Sequence, residues 1–584
     1  ALLLGQIPTR GENALYFKLF QNKAILQIDA GFAFDKENNE LLDTTSTLAD
    51  HIPALLSALQ ITEQGLREIA ELLDPQNKMS ATLNLRSLSA IYRLQLFAKL
   101  NRISVHEMYL LRGFLTPLPW TNVTELLAAQ TLVNQLKAAD LKAGAIAYLF
   151  GDVVEAGNVL VPKAEVIQKF QTDLSVGLAQ IGKSMDLGDK PMDAQFLRTQ
   201  LGLVLDEPEL DKLIAILDGS NLKKDELGDD GTPLIAISAV DGAFVEKPGF
   251  KKEYETVFTA YLSAVDMAAI SAATTVIARY SAFWTEIQNE LRYLKRSIFV
   301  KQHIIAHFQV DAQLVNFVFP GIESTFLSQD APTPPPIVDA YTALFKFFLL
   351  AKKFGLSAAE LTHFQANRGN FEDFNWNDFS PVRIHAWLQV AAYCQLRNAL
   401  PNSNHSLIAV FETAKTSSDP TQTIVDATGY DHDNVAYFVG RRIPVDFINE
   451  KVLVLLQRQI RLSQQIGISI PKLEAWCKDV VDLDTAQDIK RSLKAKYDEE
   501  SWLSVSTQVH NRLRNVQRDA LVDYLLQSAA IQALNVTLQA QSRPPIINAN
   551  GLYAYFLIDV EMDAVMKTSR LKQAIASVQL FTMR

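Results

Sequence analysis

The sequence predicts an all-α protein, an irregular, solenoid-like stack of helical hairpins with few short strands and some loop insertions. Three observations carry that prediction. A helix-start pattern recurs seven times, apolar residues between the starts fall at i, i+3, i+4 and i+7, and an apolar content of 48% against 21% charged residues supplies a core to all 584 residues.

Each start is an apolar residue, then Ser, Thr or Asp, then an apolar residue four positions after that cap. The seven are Ile61-Thr62 with Leu66, Ile103-Ser104 with Met108, Leu205-Asp206 with Leu210, Val310-Asp311 with Val315, Leu356-Ser357 with Leu361, Tyr430-Asp431 with Val435, and Ile468-Ser469 with Leu473. The side-chain oxygen accepts a bond from an orphan backbone N–H, and the apolar pair packs as a staple. Glu107 and Glu360 stand three residues after Ser104 and Ser357, completing a capping box at each. Gly355, Gly429 and Gly467 precede three of the caps, where a closing helix uses a left-handed residue. Irregular spacing between starts excludes the fixed periods of tetratricopeptide or ankyrin arrays.

The helices between starts show one apolar face, for example Leu88, Ile91, Tyr92, Leu94, Leu96 and Leu100, or Leu344, Phe347, Phe348, Leu350 and Ala351. Such stripes are expected to pack hairpin against hairpin. Interruptions set the expected divisions: an entry segment 1–50, in which Ala24–Phe34 reads as a short extended stretch; helical block 51–217; a loop-rich insertion 218–250; helical block 251–330; a Pro-rich junction 331–336 (APTPPP), which cannot be helical; helical block 337–545; and a long final helix 546–584 that reads as truncated. Ala1–Gln6, without initiator Met or basic leader, reads as the cut edge of a longer chain, and no signal peptide is visible.

A net charge of −10 leaves no cationic field for phosphates, so nucleic acid is not an expected partner. Cys394 and Cys477 are expected to be structural thiols. The least charged stretch, Met267–Ala278, is shorter than the ~20 residues a membrane helix needs, so no membrane span is expected.

Three constellations invite chemistry. His303 and His307 (HIIAH) share a helical face as zinc ligands do, but Ile304 stands where a metalloprotease needs its general base. Asp431, Asp433 and Asn434 resemble the opening of a calcium loop that lacks its Gly at six and Glu at twelve, and Asp431 is already assigned as a cap. Asp559, Glu561 and Asp563 cluster three carboxylates, of which a helix would leave Glu561 on another face. None completes a site, so no catalytic, cofactor or metal residues are assigned and the chain reads as non-enzymatic.

Leu552–Phe581 (LYAYFLIDVEMDAVMKTSRLKQAIASVQLF) closely resembles a stretch in the A subunits of insecticidal Tc toxin complexes. Arg518–Leu526 (RDALVDYLL) and Leu15–Leu26 (LYFKLFQNKAIL) resemble the segment before it and the entry into that family's helical shell. The intervening hairpins match in pattern. The resemblance implies a structural segment of a secreted, homopentameric, pore-forming and cell-binding A component, whose α-helical shell surrounds a translocation channel and carries peripheral receptor-binding domains. Its partners would be other protomers, the rest of the toxin complex and, through other domains, a host receptor. The hairpins by themselves support a different reading, a free-standing α-solenoid adaptor that binds partner peptides.

Overall fold

The computed structural model describes residues 5–9, 14–35, 39–43, 45–151, 159–188, 191–202, 207–218, 235–237, 244–246, 273–401, 406–417 and 419–556, and single positions outside those spans. The chain is all-α, an irregular stack of helices with short antiparallel strand pairs. It divides into two compact units, Ala1–Glu412 with Ile448–Glu450, and Thr413–Phe447 with Lys451–Arg584.

The first unit opens with α1 (Leu15–Phe20), α2 (Lys23–Ile28) and the pair β1 (Phe34–Asp35) and β2 (Glu40–Leu41), in which Phe34 lies opposite Leu41. The first five residues of the stretch expected to be extended, Ala24–Ile28, are therefore helical. Asn22 caps α2 by accepting from the Ile25 N–H and turns Ile25 into the core, leaving only Phe34–Asp35 extended. There follow α3 (Ile52–Leu59), α4 (Glu63–Leu73), α5 (Leu85–Leu100), α6 (Val105–Leu110), α7 (Val123–Ala138), α8 (Ala143–Phe150), α9 (Ala164–Met185), α10 (Ala194–Leu201) and α11 (Glu207–Asp218). Inside 218–250, β3 (Ile235–Ile237) and β4 (Phe244–Glu246) pair antiparallel. The unit continues through α12 (Val276–Phe308), α13 (Ala312–Val318), α14 (Glu323–Leu327), α15 (Val338–Phe354), α16 (Ala358–Ala366), α17 (Ile384–Ala399) and α18 (Leu407–Thr416). The second holds α19 (Thr421–Thr428), α20 (His432–Val439), α21 (Glu450–Ile466), α22 (Ile470–Trp476), α23 (Leu483–Lys494), α24 (Glu499–Gln527), α25 (Ala529–Ala540) and α26 (Ala549–Phe556). The remainder of the expected final helix, with Asp559, Glu561 and Asp563, lies outside the described residues.

The turns between helices share one geometry. A residue in the left-handed region closes one helix, an apolar residue follows that is half-buried at most turns and buried at Leu356, and the cap opens the next. Gln60, Arg102, Gln309, Gly355, Gly429 and Gly467 hold the left-handed position with φ between 50° and 76°. At several, the following apolar N–H reaches back five residues, as Ile103 to the Ala98 carbonyl at 3.0 Å and Leu356 to Ala351 at 2.9 Å, which satisfies an orphan carbonyl. Thr62, Ser104, Asp311, Ser357 and Asp431 then accept cap bonds as expected, and Ser104–Glu107 and Ser357–Glu360 form complete capping boxes. The staple residues Leu66, Met108, Val315, Leu361 and Val435 are fully buried.

Ser469 departs from the pattern. Its hydroxyl makes no cap bond, although the Lys472 N–H, the third-position donor that Ser104 and Ser357 use in their helices, is present. Asn434 of α20 serves instead, accepting from the Ile470 N–H at 2.8 Å and so tying two hairpins together. Asp206 lies outside the described residues. An eighth start, Asp140-Leu141-Lys142 with Ile146, has the same left-handed residue and buried apolar pair, but Lys142 cannot cap and the pattern passes over it.

The apolar faces largely pack as spaced. Leu88, Ile91 and Leu94 are buried on α5 and the whole Leu344–Ala351 set on α15, while Leu100 at the α5 terminus is solvent-exposed and Phe97 and Ala98 take its place in the core. Gly177 of α9 lets α12 come close, since a Cβ there would sit 2.0 Å from the Phe299 ring. Buried Arg279 of α12 donates to the Leu217 carbonyl at 2.6 Å and satisfies the end of α11.

Leu361→Ala should destabilise the chain by roughly 2–5 kcal/mol, the cost of a cavity at a fully buried Leu. Lys353→Ala, which removes only an ion pair to the exposed Asp140, should stay within about ±0.5 kcal/mol. Denaturant melts compare the two, and equal effects would mean that α16 presents a different face to the core.

Candidate functional site

The histidine pair of α12 is brought together, but around aromatic rings. Phe170 of α9 lies 4.6 Å from the His303 ring and 4.7 Å from that of His307, centroid to centroid, and the two imidazoles are 6.5 Å apart. Tyr341 of α15 shares its hydroxyl with Nε2 of His307 at 2.8 Å. Nε2 of His303 is buried without a hydrogen-bond partner. Among the described residues no group of three or more His, Cys, Asp or Glu is placed to hold a metal. Burial lowers the pKa of both imidazoles, and for His307 the neighbouring His303 adds to the depression. The pair is thus a neutral polar seam where α9, α12 and α15 meet.

Of the calcium-like trio, Asp431 accepts from the Asn434 N–H as a helix cap and Asp433 is fully exposed, so the three do not converge. Cys394 is buried on α17, where burial pushes its thiol up to about 12, and Cys477 is an exposed free thiol.

The densest polar centre in the first unit escaped the sequence reading except for its first two members. Glu360, buried in the capping box of α16, accepts from the Ser357 N–H and hydroxyl at 2.9 Å each, from Tyr393 at 2.9 Å and from Arg397 at 2.8 and 2.9 Å. Burial works to raise its pKa, but the bonds from Ser357 and Arg397 outweigh it and hold the carboxylate below its ordinary value. Arg397 also donates to the Phe354 and Gly355 carbonyls at 2.8 and 3.1 Å, closing the end of α15. One ion pair therefore joins α15, α16 and α17. Ser357 and Glu360 were legible as neighbours, whereas nothing local signals Tyr393 or Arg397.

In the second unit, α24, α25 and α26 enclose a small core of Val522, Ile531, Leu538, Ile546 and Leu552. Asn535 clamps the loop between α25 and α26, donating to the Ile546 carbonyl at 3.0 Å and accepting its N–H at 2.7 Å. Residues 511–584, which contain this core, match the model of the ABC toxin N-terminal region. The match covers 74 of the 584 residues, and it supports a fragment of the Tc toxin A-subunit type. Over its whole length it also aligns with TcdA4 of Morganella morganii, known by cryo-electron microscopy, with a TM-score of 0.37 and 12% identity, covering 100% of this chain and 21% of that one. The chain thus spans about a fifth of that protein. No curated protein matches it at a significant level.

Two expectations follow for this chain. Because burial depresses the folded-state pKa of His303 and His307, the unfolded chain takes up protons first on acidification; stability should be level above about pH 6.5 and fall below it. In denaturant melts across pH, the variant His303→Gln with His307→Gln should lose that part of the slope, and an unchanged slope would refute the assignment. Asn535→Ala should cost about 1–3 kcal/mol by leaving the Ile546 backbone unpaired, read in the same melts.

Proposed function

We propose that this chain is a structural helical-shell segment of the pore-forming, cell-binding A component of a Tc-type toxin complex, supporting the translocation channel and carrying peripheral domains. The match of residues 511–584 to the ABC toxin N-terminal region is the observation that carries the reading. The proposed division of labour assigns the shell to 51–217, 251–330 and 337–545, with 218–250 as an insertion, 331–336 as a junction and 546–584 as a helix leading onward. In this reading the segment works without catalysis, inside a secreted homopentamer of the full-length subunit, and receptor contact falls to domains beyond it.

The polar chemistry supports a load-bearing part. Glu360 with Arg397, Arg279 and Asn535 all complete helix ends or loops. Electron microscopy of the full-length protein tests the proposal: a bell-shaped pentamer with these helices in its wall is expected. A free monomer encoded by a gene that stops near Arg584 would overturn it in favour of the peptide-binding adaptor.

A further inference from the structure

In the second unit, α24 has two apolar faces, and one of them is uncovered. The helix runs 29 residues, and near its C-terminal end it turns Val522, Leu525 and Leu526 into the core shared with α25 and α26. Between Glu499 and Leu521 none of its described side chains is buried. A helix in water draws most of its stability from packing an apolar face on a neighbour, and this long stretch lacks one.

The uncovered face is regular. Val505, Val509, Leu513, Val516, Ala520 and Tyr524 recur at intervals of four, four, three, four and four, which at about 100° per residue places all six within about 100° of arc, on the side of the helix away from Val522. Val505, Leu513, Val516 and Tyr524 are 40, 53, 62 and 73% exposed. Single exposed apolar residues are ordinary, whereas a row of them along one stripe marks an interaction surface.

We propose that this stripe packs on the same stripe of a second copy of the chain, with the two helices antiparallel. The intervals read the same in both directions about the midpoint between Arg514 and Asn515. Reversing one helix therefore sets Val505 opposite Tyr524, Val509 opposite Ala520 and Leu513 opposite Val516, each pair occurring twice. Charge selects this orientation over the parallel one. A two-fold axis across antiparallel helices sets each flank of the stripe against itself, and one flank carries both Arg512 and Asp519. Arg512 of one copy then stands about 3 Å along the axis from the point opposite Asp519 of the other, again twice. Arg512 is exposed and makes no ion pair among the described residues, and Asp519 pairs at 2.8 Å with the neighbouring Arg518, a surface contact weak enough to share. In a parallel pair Arg512 would face the other flank, with the uncharged Ser506 and Gln517. The contact is a closed two-fold one and does not rest on the five-fold assembly proposed above. About 30 Å of paired helix is small for an interface, so dissociation at micromolar concentration, on the order of 1–100 μM, is expected.

Sedimentation equilibrium of the intact chain from about 1 to 100 μM tests the pairing, under reducing conditions that keep the exposed Cys477 thiol from linking copies. A mass that rises from monomer to dimer is expected. Leu513→Asp with Val516→Asp, both at exposed positions, should weaken the dimer at least about tenfold with an unchanged circular dichroism spectrum. Arg512→Asp should also weaken it, and adding Asp519→Arg should restore it. A monomer at every concentration would overturn the pairing and leave the face to a different partner. Dimers undiminished by the stripe variant would place the contact elsewhere, a mass above the dimer would exclude a closed two-fold pair, and failure of the charge swap to restore the dimer would overturn the antiparallel register.

Discussion

Every α-helix leaves four N–H groups and four carbonyls without partners inside itself, and a stack of short helices multiplies those ends. The structure depends on satisfying both sets within a three-residue turn. The left-handed residue lets the next N–H reach a carbonyl five residues back, and the cap two positions after it accepts from the new helix, as at Gly355-Leu356-Ser357. Between the two sits one apolar side chain, buried at Leu356. Glycine is not essential to this device. Gln60, Arg102, Asp140 and Gln309 adopt the same backbone despite a steric cost of about 1–2 kcal/mol for a residue with a Cβ, so the packing of the buried residues Leu66, Met108, Ile146 and Val315 that follow and the bonds of the turns outweigh the strain.

Hairpins built this way are locally complete, and what joins one to the next is a smaller set of long-range polar bonds. Arg397 reaches Glu360 across 37 residues and Arg279 reaches Leu217 across 62. Each of these buried or half-buried cations also finds backbone carbonyls at a helix end. That placement is physically economical: a charge taken out of water is tolerated when several donors and acceptors replace its hydration, and a helix C-terminus offers carbonyls with a favourable dipole. Asn434 and Asn535 do the same with neutral amides, meeting the Ile470 N–H and the Ile546 backbone.

This division explains what was legible. Five of the seven expected caps are in place because capping is read from residues within one turn of each other. Lys142 hid an eighth start because it lacks an acceptor, and at Ser469 the helix start is held by Asn434 from another helix, which no local pattern signals. Ala24–Phe34 looked extended by its residues, yet the cap at Asn22 and the burial of Ile25 made its first half, to Ile28, helical. Phe97 and Ala98 are buried where Leu100 was expected, since the buried face runs through Leu94, Phe97, Ala98 and Asn101 and Leu100 lies off it. Arg397, Tyr393 and Arg279 were invisible because their partners come from other helices.

The histidine pair shows the same limit from the side of chemistry. Spacing of i, i+4 puts two imidazoles on one helical face whether they hold a metal or fill a seam, and the difference lies in what the adjoining helices contribute. Here α9 contributes Phe170 and α15 contributes Tyr341, so the pocket is largely aromatic and His307 meets a hydroxyl. An imidazole in such a place remains neutral because burial penalises its charged form. Its role is to fill a helix junction while keeping one hydrogen bond, which puts His307 with Arg397 and Asn535 among the side chains whose polarity serves the joining of helices. Buried polar groups spent this way hold helix ends and loops to their neighbours, and that joining, rather than any single residue, links the physical chemistry of the chain to its fold.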